Sequence, residues 1–353
     1  MKFLDTEDPY GNISSIAISP YRLKPKSFLN AKVIDLRDRE GFLLKVYFKD
    51  LAIGYSDCFV FEELSDLSLA KQKECLKTKK LTETLKKSLY FARLDANYRR
   101  NKLNAFQNIL LPKNHWTMTD AQHLTEKNLS YLKDKDFHLL KIKCGKSLQD
   151  NFSFIQKNYC LLKDFNFKLR LDFNSTLSFK EALHFLESIN CFFDVIDYVE
   201  DPCQFNYKNW TLLIKEMQNL KLALDHKSVF HLDELNDVKD AFLQRLIIKP
   251  AQQSLHKNIL KSNTVKLDKV VFTSYMDHPF GQLCALYEAA LFYQDYPMYE
   301  EYCGFLTNFL YEENAYSERL SLNKTRLTPD YSGTGFGFDE LLEKESWRDI
   351  CEY

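Results

Sequence analysis

No apolar run in this chain approaches the ~20 residues needed to span a bilayer. Charge of one sign is also missing. The 48 Lys and Arg are matched by 49 Asp and Glu, so nothing electrostatic favours nucleic acid or an anionic membrane as a partner. Acidic residues arrive as early as Asp5, Glu7 and Asp8, which argues against a secretory signal peptide. Cysteine pairing is absent too: the nine cysteines are an odd number, scattered from Cys58 to Cys351 without a C-x-x-C pair. That pattern suits neither a disulfide framework nor a zinc site. The cysteines are expected as small buried hydrophobes in a reducing compartment, the cytoplasm.

What is present is ordinary in bulk. Hydrophobic residues make up 45% and charged residues 27%, as in a soluble globular protein. The 353 residues exceed one ordinary domain, so one large barrel or two domains is expected. The 28 Phe and 20 Tyr are dispersed, and packing in a large core accounts for them.

The informative pattern is a repeat of chemistry. Lys141-Ile142-Lys143, Arg170-Leu171-Asp172-Phe173-Asn174, Glu200-Asp201-Pro202, Asp225-His226 and Lys249-Pro250 each lie at or just after the end of an apolar, strand-like run. The steps from Lys143 to Asp172, Glu200, Asp225 and Lys249 are 29, 28, 25 and 24 residues. A strand, a helix and two loops need roughly 30 residues. One chemical group is therefore delivered per βα unit, as at the mouth of a β/α barrel.

Residues 1–105 do not follow that rhythm. Residues 16–18, 31–34, 42–48 and 51–55 read as strands of an antiparallel meander, and 67–98 as two amphipathic helices. Residues 106–311 carry the alternation, with strands expected at 137–143, 167–172, 195–200, 220–225, 243–249 and 269–273. Helices are expected at 179–189, 210–220 and 281–294. Such alternation argues a parallel sheet closed into a barrel. The tail, 312–353, holds Gly333-Thr334-Gly335-Phe336-Gly337, which lacks the preceding strand and following helix of a phosphate loop. It is expected to fold back onto the first unit.

Asp172, Glu200 and Asp225 are all oxygen ligands, and no histidine or cysteine joins them at matching spacing. Three carboxylates from adjacent strands suit Mg²⁺ or Mn²⁺ rather than Zn²⁺. A single acidic residue at a strand end usually caps the next helix. Three in consecutive units, with lysines on either side, do not invite that explanation. Lys141 and Lys143, two apart on a strand, leave the same face, and two ammonium groups side by side lower a lysine pKa toward a useful base. Lys249 ends an apolar run, a poor address for a solvated lysine. Arg170 and Asn174, flanking Asp172 at spacing two, are expected to orient it by hydrogen bonds. Together these groups fit removal of the α-proton of a small-molecule carboxylate bound to the metal.

These motifs resemble those of the enolase superfamily, and within it the o-succinylbenzoate synthases of menaquinone biosynthesis. Lys141-x-Lys143 resembles the K-x-K motif and Arg170-x-Asp172-x-Asn174 the R-x-D-x-N motif. Glu200-Asp201-Pro202 is similar to the E-x-P metal segment, and Ile247-Ile248-Lys249-Pro250 to the apolar-Lys-Pro strand end of the synthases. Arg39-Glu40-Gly41-Phe42 resembles the strand entry of the capping domain, and Gly335-Phe336-Gly337 the late glycine motif. The resemblance implies an α/β fold, a (β/α)₇β modified TIM barrel under an α+β capping domain built from both chain ends. It implies syn dehydration of 2-succinyl-6-hydroxy-2,4-cyclohexadiene-1-carboxylate. Lys143 would be the base, Lys249 the stabiliser of the ene-diolate, and Lys141 the tuner of Lys143. Ser274 would contact the succinyl chain. Two departures stand out. Gly54-Tyr55-Ser56-Asp57 replaces the usual G-x-G-E, and His226 follows Asp225 where an acidic residue is usual.

The same lysines would serve a racemase of N-acylamino acids or an epimerase of dipeptides. A non-catalytic barrel kept as a scaffold is the remaining alternative; it would need neither the carboxylates nor the lysines.

Overall fold

The computed structural model describes residues 12–29, 32–33, 35–50, 52–118, 124–217, 219–225, 245–253 and 267–352. Alternating burial builds the first sheet. Strands β1 (Ile13–Leu23), β2 (Arg39–Phe48) and β3 (Ile53–Phe59) form an antiparallel meander. One face, with Ile16, Ile18, Phe42, Leu44 and Val46, packs on Leu85, Leu89, Ala92 and Ala96 of helix α2 (Glu83–Arg100). Helix α1 (Leu69–Lys77) precedes it, and Ser68 and Thr82 cap the two helices by accepting from the backbone amides of Lys71 and Leu85. Gly54 must lack a Cβ, because that atom would lie 1.8 Å from the Ala92 carbonyl oxygen. Of the strand expected at 31–34, residues 31 and 34 lie outside the described residues, and Lys32 and Val33 are not in a strand.

From β4 (Trp116–Met118) onward strands and helices alternate. Helix α3 (Glu126–Asp134) leads to β5 (Leu139–Lys143), α4 (Leu148–Asp164) to β6 (Lys168–Asp172) and α5 (Phe179–Ser188) to β7 (Ile196–Glu200). Helix α6 (Tyr207–Glu216) then leads to β8 (Leu222–Leu224), with β9 (Arg245–Ile248) and β10 (Lys269–Phe272) following. The seven strands are parallel and in chain order across the sheet. The two edges meet on residues 303–305. Gly304 bridges Thr273, Cys303 bridges Asn114, and the Phe305 amide donates to the Asn114 side chain at 2.9 Å. This short segment is the eighth stave and closes the barrel.

The strand period of two divides the residues between layers. Val199, Leu222, Leu224, Leu246, Ile248, Val270 and Phe272 join the large core under the helices, whereas Tyr198, Ala223, Ile247 and Val271 form a separate buried cluster inside the barrel.

Helix α7 (Pro279–Asp295) joins the two units, and thirteen of its seventeen residues are buried. Lys87 of α2 pairs with Glu288 at 2.6 Å, and the hydroxyls of Tyr98 and Tyr287 lie 2.8 Å apart. At its N-terminus, Asp57 of β3 faces Asp277, and a Cβ on Gly281 would meet their carboxylate oxygens at 2.4 and 2.7 Å. The tail then folds back. The Gly335 amide donates to the Leu103 carbonyl, and the Phe336 amide to Asp95. Past helix α8 (Asp339–Lys344), strand β11 (Arg348–Glu352) pairs antiparallel with β1 as the fourth strand of the first sheet. Among the described residues no helix is long and apolar enough to cross a membrane. Cys58, Cys75, Cys144, Cys203, Cys284 and Cys303 are buried and free, while Cys160 and Cys191 are exposed.

Candidate active site

The register of β5 to β7 places Lys143, Asp172 and Glu200 side by side at the C-terminal ends of neighbouring strands. Asp225 follows β8 and Lys249 follows β9, so the five groups of the sequence repeat share one rim of the barrel. Lys141 lies one step deeper on the same face as Lys143. Its ammonium donates to both Glu200 oxygens at 2.6 and 2.8 Å and reaches Asp172 Oδ2 at 2.9 Å. Lys143 donates to the same Asp172 oxygen at 2.7 Å, and Lys249 is paired with Asp225.

Asn174 holds the other side of Asp172: its backbone amide and its side-chain Nδ2 donate to Oδ1 at 3.1 and 2.6 Å. Asp201, adjacent to Glu200, accepts the Asp225 amide at 2.9 Å and so fixes the turn that presents the third carboxylate. Nothing in the spacing singled out Asp201.

One sequence expectation needs correction. Arg170 is fully buried, but its guanidinium turns away from Asp172. It donates to Asp197 at 2.8 Å, to the Tyr302 carbonyl at 2.7 Å and to Glu301 at 3.1 Å, lies 3.0 Å from His115 Nδ1, and stacks over the Tyr198 ring. These partners sit at the N-terminal ends of the strands, so Arg170 plugs the floor of the barrel. A long side chain two residues below a rim position reaches the opposite end as readily as its neighbour. Ser274, expected to contact the succinyl chain, follows β10 at the same end of the barrel. Its hydroxyl lies 2.6 Å from that of Thr307 and 3.3 Å from the Gly304 carbonyl, so it secures the closing stave. His226 lies outside the described residues.

The electrostatics separate the lysines. Burial works against charge on all three. At Lys141 the pull of Asp172 and Glu200 outweighs burial and holds the group well above its ordinary value. Lys249 is also raised, because Asp225 overcomes burial. At Lys143 burial and the neighbouring Lys141 ammonium win, and its pKa falls below that of a free lysine. Burial and Asp172 push Glu200 up to about 8, whereas Lys141 and Lys143 overcome burial and hold Asp172 far below the usual carboxylate range.

Among the described residues no three His, Cys, Asp or Glu side chains are grouped closely enough to hold a metal ion. Lysine ammoniums stand between the carboxylates. The donor set nonetheless fits a hard divalent cation. All three side chains offer oxygen, and Asp225 Oδ1 is buried without a hydrogen-bond partner.

Comparison with known proteins identifies the family. The family model described as the N-terminal domain of o-succinylbenzoate synthase matches residues 16–98. An o-succinylbenzoate synthase of Bdellovibrio bacteriovorus is 32% identical over 334 residues, covering 94% of this chain and 97% of the relative. The chain belongs to the o-succinylbenzoate synthase family of the enolase superfamily. Solved structures share the fold of this synthase-family chain at low identity. A dipeptide epimerase of Enterococcus faecalis, in complex with Mg and the dipeptide L-Leu-L-Tyr, aligns with TM-score 0.72 at 15% identity, covering 92% of this chain and 99% of that one. The dipeptide epimerase of Cytophaga hutchinsonii, in complex with Mg and D-Ala-L-Val, gives 0.69 at 15% identity, with 96% and 100% covered. The muconate lactonizing enzyme of Pseudomonas fluorescens gives 0.69 at 14%, with 95% and 99% covered. The fold is therefore the α/β barrel of this superfamily with its separate antiparallel sheet.

Proposed function

We propose that the chain is a cytoplasmic, divalent-metal-dependent o-succinylbenzoate synthase, a carbon–oxygen lyase of menaquinone biosynthesis. The observation that carries this reading is the placement of Lys143, which ends strand β5, and Lys249, which follows β9, on either side of Asp172, Glu200 and Asp225, in a chain of the synthase family. Mg²⁺ or Mn²⁺ held by those three carboxylates would fix the substrate carboxylate and offset the second negative charge that develops next to it. Lys143, whose pKa is lowered, takes the α-proton of 2-succinyl-6-hydroxy-2,4-cyclohexadiene-1-carboxylate on Nζ. The same ammonium then gives that proton to the departing hydroxyl on the same face, so water leaves and the ring becomes aromatic. Lys249, which stays charged, supplies positive charge to the ene-diolate from the other side. Lys141 keeps Lys143 easy to deprotonate and anchors Glu200. Purified protein with Mg²⁺ and this substrate should form the aromatic product, read by its ultraviolet absorbance; no product at any enzyme concentration would overturn the reading.

Lysines on both sides of the carboxylates also support racemisation of an N-acylamino acid or epimerisation of a dipeptide. Turnover of such substrates with no dehydration would establish that second reading in place of the first.

A further inference from the structure

Lys249 has a second neighbour besides Asp225. Its ammonium lies 5.7 Å from the centroid of the Tyr275 ring, within the range of a cation–π contact. Tyr275 follows β10 and is 2% exposed, so it is fixed in place. Its hydroxyl donates to Asp66 Oδ2 at 2.8 Å, and its ring takes edge contacts from Phe61 and Phe59 at centroid distances of 5.3 and 6.4 Å. Asp66, Phe59 and Phe61 all belong to the N-terminal unit. Asp66 also accepts the Phe61 amide at 2.8 Å and the Gln252 side chain at 2.9 and 3.0 Å, and Gln252 lies in the turn that begins at Lys249. The N-terminal unit thus grips both the turn that carries the lysine and the ring that faces it.

We propose that Tyr275 is a positioning residue for Lys249, its ring face holding the ammonium in place. The inference rests on the reading of Lys249 as the cation that stabilises the ene-diolate. For that role the ammonium must be held without being neutralised. Asp225 holds it but cancels its charge, and Asp225 is also one of the three carboxylates offered to a metal. An aromatic face attracts the ammonium and carries no net charge, so the positive charge remains available to the reacting carboxylate. Burial keeps the Tyr275 phenol neutral, which preserves this property.

The test compares Tyr275→Leu, Tyr275→Met and Tyr275→Phe for kcat, KM and Tm. Loss of a desolvated cation–π contact should lower kcat about tenfold in the Leu and Met variants with little change in KM. Tyr275→Phe keeps the ring face and should stay within about threefold of the parent. If neither Leu nor Met folds, Tyr275→Phe decides alone: a tenfold loss at unchanged Tm overturns the proposal, and retention supports it. Equal losses in the Phe and Leu variants also overturn it. Lys249→Ala is assayed in parallel. If it loses turnover while Tyr275→Leu keeps it, only the positioning role fails; if Lys249→Ala keeps turnover, the role of Lys249 itself is wrong.

Discussion

Asp277→Asn should stabilise the protein at alkaline pH and leave it nearly unchanged in acid. Asp277 is 1% exposed and faces Asp57 across the seam between the two units. Among the described residues neither carboxyl is paired with a lysine or arginine. Asp57 accepts from the Tyr21 hydroxyl at 2.6 Å and is approached by the His278 and Cys58 amides. Neither Asp277 oxygen meets a well-aligned donor, and its nearest amides are its own and that of Tyr275. Burial pushes His278 down to about 3, so it brings no positive charge. Burial raises Asp277 from 3.8 to about 7, and burial with Asp277 raises Asp57 well above its ordinary value. In the window between 3.8 and about 7 the folded chain keeps the Asp277 proton while the unfolded chain has lost it. Stability therefore falls as pH rises through that window, and the penalty is complete above it. The span corresponds to at most ~4 kcal/mol. Asparagine has the same shape and no proton to lose. Urea unfolding of both proteins at pH 4, 6 and 8 should give a difference that grows with pH and levels off. A difference that is constant, or that shrinks with rising pH, would refute the argument.

Gly281→Ala should destabilise by about 1–3 kcal/mol, because its Cβ would enter the same carboxylate pair; a stabilised variant in urea unfolding would count against that seam. Chelation by EDTA should abolish turnover, with recovery on adding Mg²⁺ or Mn²⁺, and full activity after exhaustive chelation would sink the metal assignment. Lys143→Ala should lose dehydration and also exchange of the substrate α-proton with deuterated solvent, by at least about 10²–10⁴-fold. Lys249→Arg should recover part of the turnover lost in Lys249→Ala, whereas Lys143→Arg should recover almost none, since arginine does not deprotonate. Comparable recovery in both arginine variants points to an exchangeable pair, as in a racemase.

The βα pitch and the spacing of two within strands made the rim legible, because each rim group ends an apolar run that can only be a buried strand. Lys141, Lys143, Asp172, Glu200, Asp225 and Lys249 all come together as that spacing requires. What stayed hidden lacks periodicity. The closing stave is three residues long, β4 is also three, and β11 reads Arg-Asp-Ile-Cys-Glu, whose charges mask a strand. Direction along the barrel axis was equally invisible, which is why Arg170 was expected at Asp172 and is found at the floor with His115 and Glu301. The contact of Tyr275 with Lys249 joins the loops that follow two different strands, and no local pattern encodes that.

The pairing of β1 with β11 bears on how the chain is made. Ile18 meets Arg348 across about 330 residues of intervening sequence. During synthesis β2 and β3 can join β1 at once, but the far edge of β1 stays open until the whole barrel has left the ribosome. An unpaired strand edge is a template for another copy of itself, and contacts this distant form slowly. The nascent chain therefore carries an open strand edge for most of its translation. An excised fragment of residues 16–98, the stretch matched by the family model, would keep that edge open permanently.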